Sequence, residues 1–301
     1  MLISHMSTEI CKLMSLNQDK TNRRAFFVKL GLAGIGSVLV SKWMDKTSWA
    51  PNMGSTAKHL IIARDAYINR IKNSLDPEIN VKARQGLPGK KFVLVVDLSR
   101  CRNARKCMEA CAATHQLRPD QFHLNVLEMR DDEHTAPYYL PKHCQHCDNP
   151  PCVKVCPVEA TYKRTDGIVL IDNERCIGCR YCIAACPYSA RSFNWFDPKD
   201  AELYKDVPYN VERNVPQKKG TVTKCTFSAD CLRNGELPYC VRACPNGVYY
   251  FGNLYEDSVT NGTTGETVKL SKLLEDNGAF QLLAELGTKP SVYYLPPRRN
   301  N

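Results

Sequence analysis

The sequence predicts an α+β chain in which a strand–loop–helix unit recurs with a pseudo-twofold repeat, preceded by a distinct N-terminal segment and followed by a short helical C-terminal tail. Three observations predict it. Fifteen of the sixteen cysteines fall between Cys101 and Cys244, in four tight groups. β-rich runs lead into the first and third groups at Phe92–Val96 and Ile168–Ile171, and another follows the fourth at Val248–Phe251. The first 50 residues differ in character from everything after them.

That first segment, residues 1–50, has a polar start, then Thr21-Asn22-Arg23-Arg24-Ala25-Phe26-Phe27, then an apolar, glycine-containing run from Leu30 to Val40. Paired arginines before a short, weakly hydrophobic stretch have the form of a twin-arginine export signal or anchor; the alternative is the basic first turn of a short amphipathic helix. The run is shorter than the ~20 residues of a membrane span. Ser48-Trp49-Ala50 is followed by Pro51, so no small-residue cleavage site stands out. The expected location is the periplasmic or exported face of the cytoplasmic membrane, either peripheral or anchored through this segment.

Residues 51–88 read as helix and linker. Leu60, Ile61, Tyr67, Ile68 and Ile71 recur at helical spacing, while Pro77 and Gly86-Leu87-Pro88-Gly89 punctuate the linker. Residues 89–254 hold fifteen of the sixteen cysteines, and residues 255–301 form a tail that docks on the core or on a partner. In the tail, Leu270, Leu273 and Leu274, then Phe280, Leu282, Leu283 and Leu286, suggest short helices.

The formal net charge is +10. Arg100, Arg102, Arg105, Lys106, Arg175, Arg180, Lys224, Arg233 and Arg242 lie beside the cysteines. This places the excess where it offsets ligated thiolates and argues against nucleic acid as a partner. Disulfides are a common use of cysteine in exported proteins, but cysteines two residues apart, followed by others at short fixed offsets, put several thiolates around one point. That is the pattern of a metal centre.

The third group, Cys176-x2-Cys179-x2-Cys182-x3-Cys186-Pro187, is the bacterial ferredoxin run. Its first three cysteines hold three irons of one cluster, and the fourth reaches the neighbouring cluster. The second group, Cys144-x2-Cys147-x4-Cys152-x3-Cys156-Pro157, is the same run with a longer loop. Crossed ligation gives one inner 4Fe-4S cluster on Cys144, Cys147, Cys152 and Cys186, and a second on Cys176, Cys179, Cys182 and Cys156.

The other two groups are incomplete. Ala104 stands at the second-cysteine position between Cys101 and Cys107, ahead of Cys111; Ser228 stands there after Cys225, ahead of Cys240 and Cys244. Paired as an outer unit, they give Cys101, Cys107 and Cys244, three thiolates that suit a 3Fe-4S cluster. They also give Cys225, Cys240 and Cys111, a third 4Fe-4S site if Cys231 is the fourth ligand. The alternative for Cys231 is a small buried thiol. His143 and His146 read as loop or supporting residues; His115 stays open because its cluster is short of a ligand. Tyr162, Tyr181, Tyr188, Trp195, Tyr249 and Tyr250 are expected to shield the clusters from water. Cys11 lies apart, in the N-terminal segment.

With four groups in this order, the chain has two ferredoxin-like dicluster units. Over residues 89–254 it resembles the four-cluster iron-sulfur subunits of the molybdopterin oxidoreductase family, the dimethyl sulfoxide reductase type. The most specific stretches are His143-Cys144-Gln145-His146-Cys147-Asp148-Asn149-Pro150-Pro151-Cys152 with Val155-Cys156-Pro157, and Asp172–Pro187. Lys224-Cys225-Thr226-Phe227 and Val292-Tyr293-Tyr294-Leu295 add to it. The export-type segment places it among relatives resembling tetrathionate reductase, formate-linked nitrite reductase or alternative complex III components. The resemblance implies an electron-transfer subunit, without a catalytic site of its own, between a molybdopterin-containing catalytic subunit and a multi-span quinone-interacting membrane subunit. The competing readings are a free-standing exported polyferredoxin and a structural zinc protein.

Overall fold

The computed structural model describes residues 78–297, apart from 131, 134, 199, 200 and 205. The export-type segment, the helix expected within 57–73 and Cys11 lie outside the described residues. The chain divides into units over Met1–Ala66 and Tyr67–Asn301, and the architecture below belongs to the second.

Helix α1 (Glu78–Gln85) occupies part of the segment read as linker, and Gly86, at φ +81°, ends it. The helix is fixed by Arg84, which pairs with Asp172 at 2.9 Å and lies over the Tyr162 ring. Strand β1 (Phe92–Asp97) follows and is buried along its whole length. An unbroken apolar run is what a central strand covered on both faces requires. Leu94 and Val96 point into the core shared with the cysteines, while Val93 and Val95 face a second cluster with Tyr250, Val259 and Leu270. Each such side chain contributes on the order of 1.5–3 kcal/mol on burial.

β1 lies inside a five-stranded sheet with β8 (Tyr249–Asn253), β9 (Ser258–Asn261), β10 (Thr267–Lys269) and β11 (Val292–Leu295), in the order β10-β9-β8-β1-β11. β8 runs antiparallel to β1, placing Tyr249 opposite Val96, and β11 runs parallel to it, placing Val292 opposite Leu94. Gly252 is required in β8, since a Cβ there would sit 2.0 Å from the Ser258 carbonyl oxygen of β9.

The tail therefore departs from the helical reading. The Leu270 group does form a helix, α7 (Leu270–Asp276), which covers the second apolar face. The Phe280–Leu286 group does not, beyond a single 3-10 turn at Ala284–Leu286. Phe280 instead exchanges both backbone hydrogen bonds with Tyr294, and positive φ at Gly278, Leu283 and Gly287 interrupts any helix. Three of the five strands of the main sheet come from residues beyond 254, so this segment completes the core.

Three two-stranded ladders complete the fold: β2 (Leu124–Met129) with β3 (Tyr138–His143), β4 (Thr161–Lys163) with β5 (Val169–Ile171), and β6 (Arg191–Phe193) with β7 (Val222–Lys224). Strands β1, β3, β5 and β7 each run into one of the four cysteine groups. Short helices follow inside the groups: α2 (Lys106–Thr114), α3 (Pro151–Lys154), α4 (Tyr181–Ala184), and then α5 (Ala229–Arg233) with α6 (Tyr239–Ala243). A buried ion network ties the ladders together. Arg164, with no exposed side-chain surface, holds Asp166 at 2.5 Å and Glu212 at 2.7 Å, and Glu212 also binds Arg233 at 2.6 Å. Among the described residues no helix is long and apolar enough to cross a membrane.

Candidate metal centres

The loops after these strands fold crosswise into four thiol-lined cavities. Cys101 and Cys107 of the first group meet Cys244 of the fourth, with Ala104 in the wall. Cys225 and Cys240 meet Cys111, together with Ser228, His115 and His143. Cys144, Cys147 and Cys152 meet Cys186. Cys176, Cys179 and Cys182 meet Cys156. None of the fifteen described cysteines is in a disulfide.

Left-handed backbone wraps the loops around these points. Asn103 and Arg105 (φ 56° and 55°) flank Ala104 as Gly178 and Arg180 (75° and 63°) flank Cys179; His146 precedes Cys147 at 41° as Phe227 precedes Ser228 at 54°. Glu159, Ser189 and Gly247 each stand three residues beyond the last cysteine of their group, again with positive φ. At Gly178 a Cβ would meet the Gly220 carbonyl oxygen at 2.2 Å, so the loop carrying Cys176 and Cys179 needs glycine both for its φ and for this approach.

The four cavities are neighbours in one series. Cys107 of the first lies close enough to Cys111 and Cys240 of the second to oppose their ionisation, and Tyr249 lines both cavities. Cys144 of the third opposes ionisation of Cys225 in the second, and Cys152 of the third does the same to Cys182 in the fourth. Burial is the first cause of the raised thiol pKa values, which reach about 12 for Cys147 and Cys225; clustered thiols add to it. Such a thiol gives up its proton readily only to a cation that takes its place.

Arg191, only 7 % exposed, lies in the wall of the third cavity beside Cys152, Cys182 and Cys144, and burial is outweighed by these sulfurs so that its pKa is raised. Its Nη1 donates to Thr161 Oγ1 at 3.2 Å, while Nη2 is buried with no nitrogen or oxygen acceptor among the described residues. A buried guanidinium surrounded by thiols is costly unless they carry negative charge; an anionic thiolate-ligated cluster is the counter-charge it calls for. The donor sets are soft and sulfur-rich, as iron-sulfur clusters require. The residues present therefore fit such clusters, which supply reversible one-electron chemistry when bound.

The sequence does not flag Arg191, because one arginine opening a short strand carries no spacing signal. Several basic residues that it does flag are occupied elsewhere. Arg233 serves Glu212, Arg100 pairs with Asp97 at 3.0 Å, and Arg180 lies over Phe193 and Trp195. Lys224 is fully buried, donating to the carbonyl oxygens of Val169 and Cys225.

Cys231 is buried but does not line the cavity of Cys111, Cys225 and Cys240. It lies within α5, where its sulfur accepts from Arg242 at 3.4 Å, and burial, then Asp230, pushes its thiol up to about 11. Of the aromatic residues expected to shield clusters, Tyr188 and Tyr249 line cavities. Tyr181 and Trp195 are 62 % and 56 % exposed, Tyr250 packs on the far face of the sheet, and Tyr162 lies under Arg84. His146 is fully buried and accepts the Val169 N–H on Nδ1 at 3.1 Å, a supporting role.

A family model described as a 4Fe-4S dicluster domain matches residues 135–199 and again 196–254. An iron-sulfur subunit of Halobacterium salinarum, named putatively for a dimethyl sulfoxide reductase, is 39% identical over 68% of this chain and 78% of that protein. A selenate reductase subunit of Mesobacillus selenatarsenatis is 34% identical over 93% of this chain and 99% of its own length. The chain belongs to the iron-sulfur subunits of the dimethyl sulfoxide reductase type. A tetrathionate reductase subunit of Salmonella typhimurium is a further relative, 34% identical over 70% of this chain and 74% of that one. As a member of this family, the protein is an electron-transfer subunit of an oxidoreductase complex, carrying 4Fe-4S clusters on its cysteines.

Proposed function

We propose that this subunit relays electrons between a quinone-reactive, multi-span membrane subunit and a molybdopterin-containing catalytic subunit, through a row of four clusters. The observation that carries the reading is the single series of cavities, each with sulfurs adjacent to those of the next. The relatives' names supply the setting, being subunits of tetrathionate, selenate and dimethyl sulfoxide reductases and an iron-sulfur cluster-binding subunit of a menaquinone reductase.

In this reading Cys144, Cys147, Cys152 and Cys186 hold one inner 4Fe-4S cluster and Cys176, Cys179, Cys182 and Cys156 the other. Cys101, Cys107 and Cys244 hold a 3Fe-4S cluster, because Ala104 offers no ligand to a fourth iron. Cys225, Cys240 and Cys111 hold the remaining one. The matching left-handed positions at Ala104 and Cys179, and at Ser228 and Cys147, support a pseudo-twofold repeat that relates the two dicluster units.

At one end of the row Cys179 is exposed, and Ile177 and Tyr181 beside it are 64 % and 62 % exposed. This is where electrons enter or leave through a docked partner. The paired arginines and short apolar run of the N-terminal segment support a place on the exported face of the membrane, since a twin-arginine route carries proteins already folded around their cofactors.

The test is tagged purification from gently solubilised membranes under anaerobic conditions, followed by addition of quinol. Co-purification of a molybdenum-containing chain and a multi-span chain, with quinol reducing the clusters, is the expected result. A lone chain in the soluble fraction whose clusters ignore quinol favours the free carrier and contradicts the proposal.

A further inference from the structure

The cavity of Cys111, Cys225 and Cys240 offers three thiols, and a 4Fe-4S cluster takes four ligands. Ser228 stands where the second group has Cys147, but its Oγ already accepts the Tyr239 N–H at 3.2 Å. Cys231 is turned towards Arg242. Two histidines remain on the wall. Among the described residues His143 has no hydrogen bond to either ring nitrogen, so no partner selects the tautomer that would leave a lone pair facing the cavity. His115 is different.

His115 caps the C-terminal end of α2, one turn beyond Cys111, and is 2 % exposed. Its Nδ1 lies 2.7 Å from the Arg213 carbonyl oxygen. A carbonyl can only accept, so Nδ1 carries the proton and the neutral ring keeps its lone pair on Nε2. The hydrogen bond to Arg213 occupies Nδ1 and not Nε2. A ligand atom of this ring lies within 4.8 Å of the Cys111 sulfur and of a ring nitrogen of His123, whose own Nε2 is engaged by Thr223 Oγ1. Metal-binding histidines are oriented in the same way, with the second ring nitrogen donating to a backbone carbonyl.

We propose that His115 is the fourth ligand, through Nε2, of the cluster held by Cys111, Cys225 and Cys240. The coordinate bond uses the existing lone pair and releases no proton. A neutral imidazole in place of a thiolate leaves this cluster one negative charge poorer than an all-cysteine site, which raises its reduction potential, as histidine does in Rieske centres. The inference rests on the cluster reading above but not on any partner.

The test is pulsed EPR of the full-length protein, anaerobically reduced in steps, with and without 15N-histidine labelling. The expected result is a strong histidine-nitrogen coupling on one 4Fe-4S cluster that changes with the label and vanishes in His115→Gln. In His115→Cys the iron content should hold, the coupling vanish and that cluster's potential fall. The labelled wild-type protein decides the matter even if a variant does not fold. Clusters present without a histidine-nitrogen coupling overturn the proposal and leave the relay intact, as does a coupling that survives in His115→Gln. Absence of iron and sulfide overturns both.

Discussion

Phe227 stacks on His146 with ring centroids 3.7 Å apart and planes inclined by 26°. Each residue immediately precedes the second ligand position of its cysteine group, each has positive φ, and the two groups belong to different dicluster units. The stack is therefore a keystone between the outer and inner units, extended by the edge-on contact of Phe227 with Phe251 of the main sheet. Phe227→Ala removes a side chain only 3 % exposed. The expected cost is about 3–5 kcal/mol, read by denaturant unfolding, with weakened magnetic coupling between the second and third clusters. Unchanged stability contradicts this role.

Removing the Arg191 charge makes electron addition to the inner clusters harder. At roughly 6 Å and an effective dielectric of about 20, one charge contributes on the order of 3 kcal/mol, equivalent to about 100 mV for one electron. Arg191→Met is expected to shift the inner potentials downwards by that order in an EPR-monitored redox titration. A shift upwards contradicts the electrostatic account.

Cys231→Ser and Cys225→Ser separate a buried thiol from a ligand. The first is expected to leave iron, sulfide and EPR signals unchanged, since Cys231 lies outside the cavity that Cys225 lines. The second is expected to lose or convert one cluster. Equal losses in both variants contradict the placement of Cys231.

The iron-free protein should become less stable in alkali. Unfolded thiols ionise near 9, whereas in the folded chain Cys147 and Cys225 ionise at about 12. Between those values the unfolded state has released protons that the folded state still holds, so rising pH favours unfolding. The denaturation midpoint of the iron-free chain is expected to fall from pH 8 to pH 11. That of the cluster-loaded chain should not, because its thiols are already ionised. A flat midpoint in both forms contradicts the assignment.

The cysteine sets lining the four cavities are legible in spacing alone, because x2 and x3 offsets confine thiols to one loop and the next turn of helix. Strands β1, β5 and β8 are legible for a similar reason, being apolar runs bounded by turns. β11 is not legible as a strand of the main sheet, since its partner β1 lies about 200 residues away in sequence and parallel pairing leaves no local mark. Cys231 misleads because its offset from Ser228 matches a ligand run. Ser228, however, adopts φ 51° and begins α5 directly, which carries Cys231 round to Arg242. Arg191 is silent in the sequence because its role depends on cysteines from two different groups meeting around it.

The proposed row of four clusters is open to anaerobic iron and acid-labile sulfide analysis with EPR of the oxidised and dithionite-reduced protein. Such a row gives iron and sulfide for four clusters, a 3Fe-4S signal when oxidised, and broadened spectra from mutually interacting 4Fe-4S clusters when reduced. Iron for two clusters alone contradicts it by leaving the outer cavities empty, and zinc without sulfide contradicts it altogether.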